Sequence, residues 1–357
     1  MRRLLWLWRP LIVSGFALLG APVAAHPPDR PQLTVMTMNM FTGTNFEELV
    51  AAQDLAALQA AVAVTAKKIV DSDPAERATA MAEEIARRAP ALVGLQEASI
   101  LTLLPGSGPP VVKENLVQAL LDALQARGMH YGIVSEETGL DIVAPISPVD
   151  NVRLTTRDVI IARRDLPARS LAISNAQHGD YVARPTFPTP LGPISDPSGW
   201  ASVDVQMDGV DQIRFVTTHL DVDPSIAYAQ AQELVAVLGQ TALPTVLVCD
   251  CNSAADIASD PTFATYQVMQ DAGFKDTFRV LYPDRPGFTC CQDENLLNRA
   301  SKLFVRIDLV QFRGGFTPKQ ATVVGNTARD KTASGLWPSD HAAVVATLGI
   351  GIEADED

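Results

Sequence analysis

Short apolar runs alternate along the chain with longer stretches in which apolar residues recur every three or four positions, a pattern that predicts strands and helices in turn. Residues 33–38 alternate as a half-buried strand ending at Asn39. Residues 46–70, Ala-rich with Leu49, Leu55, Leu58 and Val62 at helical spacing, predict one long helix. Pro74 suits the first turn of another helix, over 75–88. The run 91–95 reads as a short buried strand that delivers Gln96 and Glu97. A helix over 113–127 is stopped by Gly128, and 159–162 is the next strand. The proline-rich 187–199 reads as a surface loop, and 201–207 with 213–217 as a hairpin about Asp208-Gly209. Helices at 224–238 and 261–272 and strands at 245–248, 303–312 and 342–348 complete the order. Because several neighbours are hairpins, the fold class expected is α/β (α+β), a sandwich with mixed, largely antiparallel sheets.

Polar residues of chemical interest stand where these apolar runs stop. Asn39, Glu97, His219, Asp250 and Asn252 each follow a strand, and Asp340 and His341 precede the last one. If that last strand runs antiparallel to the others, its start lies on the same rim as their ends. Glu97, Asp250 and Asp340, helped by the amide oxygens of Asn39 and Asn252, are hard donors suited to Mg2+, Mn2+ or Ca2+ rather than zinc. His219 and His341 then remain for proton transfer or for bonding a phosphate oxygen. Asp308, between Ile307 and Leu309, is a carboxylate in an apolar strand and needs a partner. An imidazolium is the obvious one, because a carboxylate behind a histidine fixes its tautomer and raises its basicity.

Composition changes this picture at the ends. Arg2, Arg3 and Arg9, the apolar run 11–19 and the small residues Val23-Ala24-Ala25 make residues 1–25 read as a secretory signal. The run is too short, and broken by Pro10, to span a bilayer, and no later run approaches spanning length. A secreted or periplasmic protein, a monomer with no transmembrane segment in its mature chain, is expected. Loss of the three leader arginines takes the net charge from −13 to −16. That balance argues against broad contact with a phosphate backbone, while leaving open an acidic cleft that recruits metal ions. Residues 351–357 read as a solvated acidic tail.

Six short segments, in chain order, resemble the endonuclease/exonuclease/phosphatase superfamily, the DNase I-like phosphoesterases: Thr37-Met38-Asn39, Gly94-Leu95-Gln96-Glu97, Thr217-Thr218-His219-Leu220, Asp250-Cys251-Asn252-Ser253, Arg306-Ile307-Asp308 and Ser339-Asp340-His341. The resemblance spans 33–348 within a domain taken as 26–350. It implies a four-layer sandwich, two mixed sheets flanked by helices, from which 46–70 departs as a helical insertion between the first two motifs. It also implies a metal-dependent phosphoesterase, a phosphodiesterase before a monoesterase, in which water attacks phosphorus in line. In that frame Glu97 resembles the principal metal ligand with Asn39 beside it, and Asp340 a metal-shell carboxylate. Asp250 and Asn252 resemble the pair that orients water and phosphate, His219 a phosphate-contacting histidine, and His341, backed by Asp308, the second catalytic histidine. The substrate stays open between nucleic acid, a phospholipid headgroup as in sphingomyelinases, and a small phosphodiester. A non-catalytic binding protein on this scaffold is the rival class, against which both histidines and the carboxylates argue.

Two departures stand out. Cys249-Asp250-Cys251-Asn252 replaces the usual Gly-Asp-Phe-Asn, and Cys290-Cys291 lies downstream. Four cysteines in an exported chain favour disulfides, so at least one bridge joining the two regions, Cys251 to Cys290 or Cys291, is expected, with a soft-metal site as the rival. Arg153, Arg157 and the loop before Trp200 are candidates for substrate contact.

Overall fold

Two β-sheets face each other in the computed structural model, which describes residues 31–351. The expected leader, and residues 352–357 of the acidic tail, lie outside the described residues. The first sheet has eight strands: Phe316–Val324, Ala343–Ile350, Gln32–Asn39, Leu92–Gln96, Asn151–Arg163, Ile100–Leu104 and Val111–Asn115 lie in that order, and Tyr131–Pro145 also pairs with Asn151–Arg163. The second has six, ordered Lys275–Asp276, Asp308–Arg313, Thr245–Asp250, Ile213–His219, Gly199–Gln206 and Ala172–Asp180. Among the described residues each sheet has one parallel pair, Gln32–Asn39 with Leu92–Gln96 and Ile213–His219 with Thr245–Asp250. The remaining pairings in both sheets are antiparallel, so the expected mixed, largely antiparallel sandwich is what forms.

Alternation along the strands builds four layers. Leu33, Val35, Leu92, Val344 and Ala346 of the first sheet meet Phe215, Val246, Val248 and Val310 of the second. The neighbouring positions Met36, Met38, Val93 and Leu95 point the other way, onto Met81 and Ile85 of the helix Pro74–Arg88 and Leu120 of Leu116–Gln125. Behind the second sheet, Val216, Leu247 and Leu309 pack on Ala231 and Leu234 of Pro224–Leu238 and Met269 of Phe263–Asp271. The sheets approach closely because position 94 lacks a side chain: a Cβ there would stand 2.4 Å from a Val248 methyl.

The same period of two carries the apolar interior into a polar rim. Leu33, Val35, Thr37 and Asn39 share the inter-sheet face, as do Phe215, Thr217 and His219, Val246, Val248 and Asp250, and Phe312, Val310 and Asp308. One residue pair from the end, the interior is already hydrogen-bonded. Thr37 Oγ1 donates to Gln96 Oε1 (3.2 Å), and Gln96 Nε2 donates to Thr217 Oγ1 (2.9 Å).

Several elements differ from the sequence-based expectation. The 46–70 stretch is two helices, Glu47–Ala51 and Leu55–Asp71, because Asp54 caps the second by accepting from Ala57 N–H (2.8 Å). The expected 113–127 helix starts at Leu116, where Asn115 caps it; Val111–Asn115 instead pairs as an edge strand with Ile100–Leu104. The 187–199 loop is pinned by a two-residue ladder, Thr186–Phe187 on Ile194–Ser195. The 303–312 strand begins at Asp308, and Val305 makes only an isolated bridge to Cys290. In the long hairpin of Tyr131–Pro145 and Asn151–Arg163 the sequence pattern marks only 159–162 as strand, because the rest of both arms is largely half-exposed and polar-rich and lacks a clean apolar period. The expected bridge between the cysteine regions is absent: Cys249 pairs with Cys251, and Cys290 with Cys291. Cys249 and Cys251 lie in the helix-facing core, with Cα atoms 5.1 Å apart, within the span of a disulfide. No described helix is long and apolar enough to cross a membrane.

Candidate active site at the sheet rim

Register fixes which polar residues meet. Asn39 is level with Gln96, His219 with Asp250, and Asp250 with Asp308 across an antiparallel pair. The last strand runs antiparallel to Gln32–Asn39 with Val344 opposite Thr37, so His341, three residues earlier, reaches the same rim. The sequence places these residues far apart; the two sheets bring their ends together.

Asp250 is the hub. Its Oδ2 accepts from Asn39 Nδ2 (2.9 Å) and lies 3.5 Å from both His219 Nε2 and His341 Nδ1. Its Oδ1 accepts from Asn252 N–H (3.1 Å). The Asn252 amide donates to Leu220 O (2.7 Å) and is 3.1 Å from His219 Nε2, which locks that imidazole's position. His341 Nδ1 lies 2.9 Å from Asp308 Oδ2, and Asp308 is held in turn by its own N–H donating to Thr289 Oγ1 (3.1 Å). Thus the expected Asp308–His341 pair is present, and Asp250, Asp308 and His341 place ligand-type atoms within 4.8 Å of one another.

Glu97 adjoins this network through Asn39. Asn39 Nδ2 donates to Glu97 Oε1 (2.9 Å), Thr42 N–H donates to Glu97 Oε2 (2.8 Å), and Asn39 Oδ1 accepts from Phe41 N–H (2.8 Å). Asn39 therefore presents its amide nitrogen, not its oxygen, to the two carboxylates it spaces. Asp340 is half-buried beside Ser339, whose hydroxyl lies 3.3 Å from its Oδ1. The charges of Glu97 and Asp250 oppose its ionised form, while His341 and Arg77 favour it. Phe41, Glu97 and Asn252 all have positive φ, at 57°, 54° and 42°. Such non-glycine left-handed residues are costly and are sustained here by the surrounding hydrogen bonds.

Electrostatics follow from crowding carboxylates in a buried rim. Burial lifts the Asp340 carboxyl to about 7; His341 opposes the rise and Glu97 adds to it. Burial likewise lifts Asp308 to about 6 against the pull of His341. Burial alone would depress the His341 imidazole, but Asp308, Asp250 and Asp340 hold it well above its ordinary value. His219 is also raised, against its burial, by Asp250, Asp158 and Glu97.

Sequence reasoning missed three residues around this rim. Asp158, buried at the start of the 159–162 run, acts on His219 by charge and itself rises to about 7 through burial. Its cross-strand partner is Glu137, 1% exposed, whose Oε1 has no hydrogen-bond partner. Arg77, wholly buried, ties the loops that carry Asn39 and Asp340. The signal for Asp158 is a carboxylate opening an apolar strand; that for Arg77 is an arginine in helical register with Met81 and Ile85. Conversely, Arg153 is engaged with Asp141 (2.6 Å) and Arg157 with Glu136 (2.9 Å), so neither points free to a substrate.

Glu137 supports a stability prediction. Burial, with Asp158, Asp180 and Asp196 adding negative charge, lifts its carboxyl to about 9. The folded chain thus binds this proton more tightly than the unfolded one, so its contribution is full near pH 4 and is lost as pH climbs toward 9. Glu137→Gln is expected to match the parent in thermal unfolding near pH 5 and to exceed it near pH 8, by on the order of 2 kcal/mol. Equal melting temperatures at both pH values would refute this account of Glu137.

No model of a known protein family matches the sequence, and no curated relative matches it. Solved structures do. A Leptotrichia buccalis endonuclease/exonuclease/phosphatase family protein aligns over 88% of this chain and 99% of its own, with a TM-score of 0.56 and 16% identity. A Bacteroides thetaiotaomicron mannosyl-6-phosphatase aligns over 88% and 99%, at 0.52 and 17%. D. rerio TDP2, solved with a single-strand DNA product, aligns over 89% and 98%, at 0.50 and 14%. The chain has the fold of the endonuclease/exonuclease/phosphatase proteins.

Proposed function

We propose that this chain is an exported, divalent-metal-dependent phosphoesterase, a phosphodiesterase before a monoesterase. The observation that carries the reading is Asp250, one carboxylate oxygen shared by Asn39 and within 3.5 Å of two histidines, each with a second polar partner. A merely structural carboxylate at a strand end has no need of two imidazoles.

The donor set fits a hard cation. Glu97 and Asp340 bring carboxylate oxygens to one rim, where burial raises Asp340 and the charge of Glu97 adds to the rise. Glu97 and Asp340 would hold the ion, with Asn39 setting the position of Glu97. Mg2+, with Mn2+ or Ca2+ as substitutes, would supply charge neutralisation on phosphate oxygens when bound. The chain's own groups do the rest. Asp250 and Asn252 orient the attacking water, His219 contacts a phosphate oxygen, and His341, steadied by Asp308, clamps the phosphate or moves the proton. Export rests on the leader pattern alone.

The fold neighbours include a mannosyl-6-phosphatase and a TDP2 solved with a single-strand DNA product. The experiment is hydrolysis of bis-p-nitrophenyl phosphate by the purified mature chain, then a panel of DNA, RNA, phospholipid vesicles and a phosphomonoester. EDTA is expected to abolish turnover and added Mg2+ to restore it. Absence of metal-dependent hydrolysis across the panel would favour a binding protein instead.

A further inference from the structure

One pair of adjacent cysteines borders the rim without a part in the chemistry above. Cys290 is buried and Cys291 half-buried, and their sulfurs and a ring nitrogen of His341 all lie within 4.8 Å of one another. We infer that Cys290 and Cys291, once their disulfide is reduced, form with His341 a binding site for a thiophilic divalent cation of the zinc type. Filling that site withdraws His341 from the rim.

Backbone bonds, not the sulfur bond, hold this dipeptide where it is. Cys290 N–H donates to Val305 O (3.0 Å), and Cys290 O accepts from Val305 N–H (3.1 Å) and Phe304 N–H (2.7 Å). On either side, Ala342 N–H donates to Thr289 O (2.7 Å) and Gln292 N–H donates to Asp340 O (2.7 Å). Cys290 also pairs as a bridge with His341 itself. The two thiols of the reduced state therefore stay beside the imidazole.

The donor chemistry then selects the ion. Two sulfurs and one nitrogen are the ligand types of zinc sites, with a fourth position left for water, whereas the carboxylates across the rim suit a hard cation. His341 stands between the two sets. Its Nδ1 is the atom that holds Asp308 and its other nitrogen is the one left to face a substrate, so either one taken by the cation is lost to the rim. Chemically, a phosphine in water reduces the disulfide, giving two thiols and a phosphine oxide. The cation then displaces two thiol protons, forming two metal–thiolate bonds and one bond to imidazole nitrogen. The second pair is an internal comparison: Cys249 and Cys251 are sealed in the helix-facing core, and among the described residues no histidine groups with them.

The test uses the full mature chain, reduced with a phosphine, freed of it without oxygen, and titrated with Co2+ as an optical probe. One equivalent is expected to produce a thiolate-to-cobalt absorption band, which Zn2+ then displaces. The band should vanish in Cys290→Ser/Cys291→Ser, and in Cys291→Ala, which leaves the buried Cys290 in place; it should persist in Cys249→Ser/Cys251→Ser. His341→Ala should weaken Co2+ binding by about tenfold or more, as loss of one of three protein ligands requires. A disulfide that resists reduction in the folded chain, no band, or a band indifferent to Cys290 and Cys291 would each overturn the site. Unchanged affinity in His341→Ala would overturn the part given to the histidine. Inhibition is a separate arm that rests on the phosphoesterase reading: stoichiometric Zn2+ should silence Mg2+-dependent hydrolysis in the reduced chain and not in the oxidised one. Hydrolysis equally unaffected in both would overturn the withdrawal of His341, while a chain that hydrolyses nothing fails the earlier reading and leaves the cobalt band to decide the site.

Discussion

His341→Ala is expected to lower kcat for bis-p-nitrophenyl phosphate by about 10²–10⁴-fold, the range for removing a positioned proton-handling side chain. The imidazole is held through one nitrogen, Nδ1, which lies 2.9 Å from Asp308 Oδ2 and 3.5 Å from Asp250 Oδ2. Loss of the ring leaves Asp308 with no partner for Oδ2, and its Oδ1 already has none. Some destabilisation is therefore expected as well, and unfolding curves must show that the variant is folded under assay. Asp308→Asn separates the two effects. It keeps the shape but removes the charge that raises His341, so it should reduce kcat less than His341→Ala while shifting the pH profile of the remaining activity downward. Near-parental turnover in His341→Ala, with metal present, would remove this residue from the chemistry.

Much of this site was legible because strands are periodic. Polar residues closing an apolar run, at Asn39, His219 and Asp250, are where side chains on the inter-sheet face leave the interior; Glu97 follows its strand in a positive-φ turn, and the antiparallel last strand brings Asp340 and His341 to them. The part that was not legible depends on partners remote in sequence. Glu137 becomes a buried, unpaired carboxyl only because Asp158 sits opposite it in a hairpin whose arms lack an apolar period. The 46–70 helix breaks because one capping carboxylate, Asp54, competes with a helical pattern that runs straight through it. The disulfides pair within each region because the two regions face different layers: Cys249 and Cys251 lie against the helices behind the second sheet, Cys290 and Cys291 beside His341. An alternation argument finds a face, not the layer beyond it.

Arg77 carries the largest stability effect expected in the molecule. It lies on the helix Pro74–Arg88 with no exposed surface, where an arginine normally has a carboxylate partner; here carbonyls replace it. Nη1 donates to Met40 O (2.7 Å) and Pro338 O (3.1 Å), Nη2 to Phe41 O (3.0 Å), and Nε to Ser72 O (2.9 Å). One guanidinium thereby joins the segment after Asn39 to the segment before Asp340. Burial lowers its pKa to about 10, with Asp340 and Glu97 pulling the other way, so it is charged at neutral pH and balances part of the rim's negative field. Arg77→Met keeps the apolar stem and leaves these carbonyls without a donor. It is expected to cost about 3–5 kcal/mol in denaturant unfolding, since hydrogen bonds from a charged donor contribute roughly 1.5–3 kcal/mol each and act here as one unit. Arg77→Lys, with charge but no fork, should fall between. A methionine variant within about 1 kcal/mol of the parent, which is the worth of an ordinary hydrogen bond, would show that the two loops hold their places without the guanidinium.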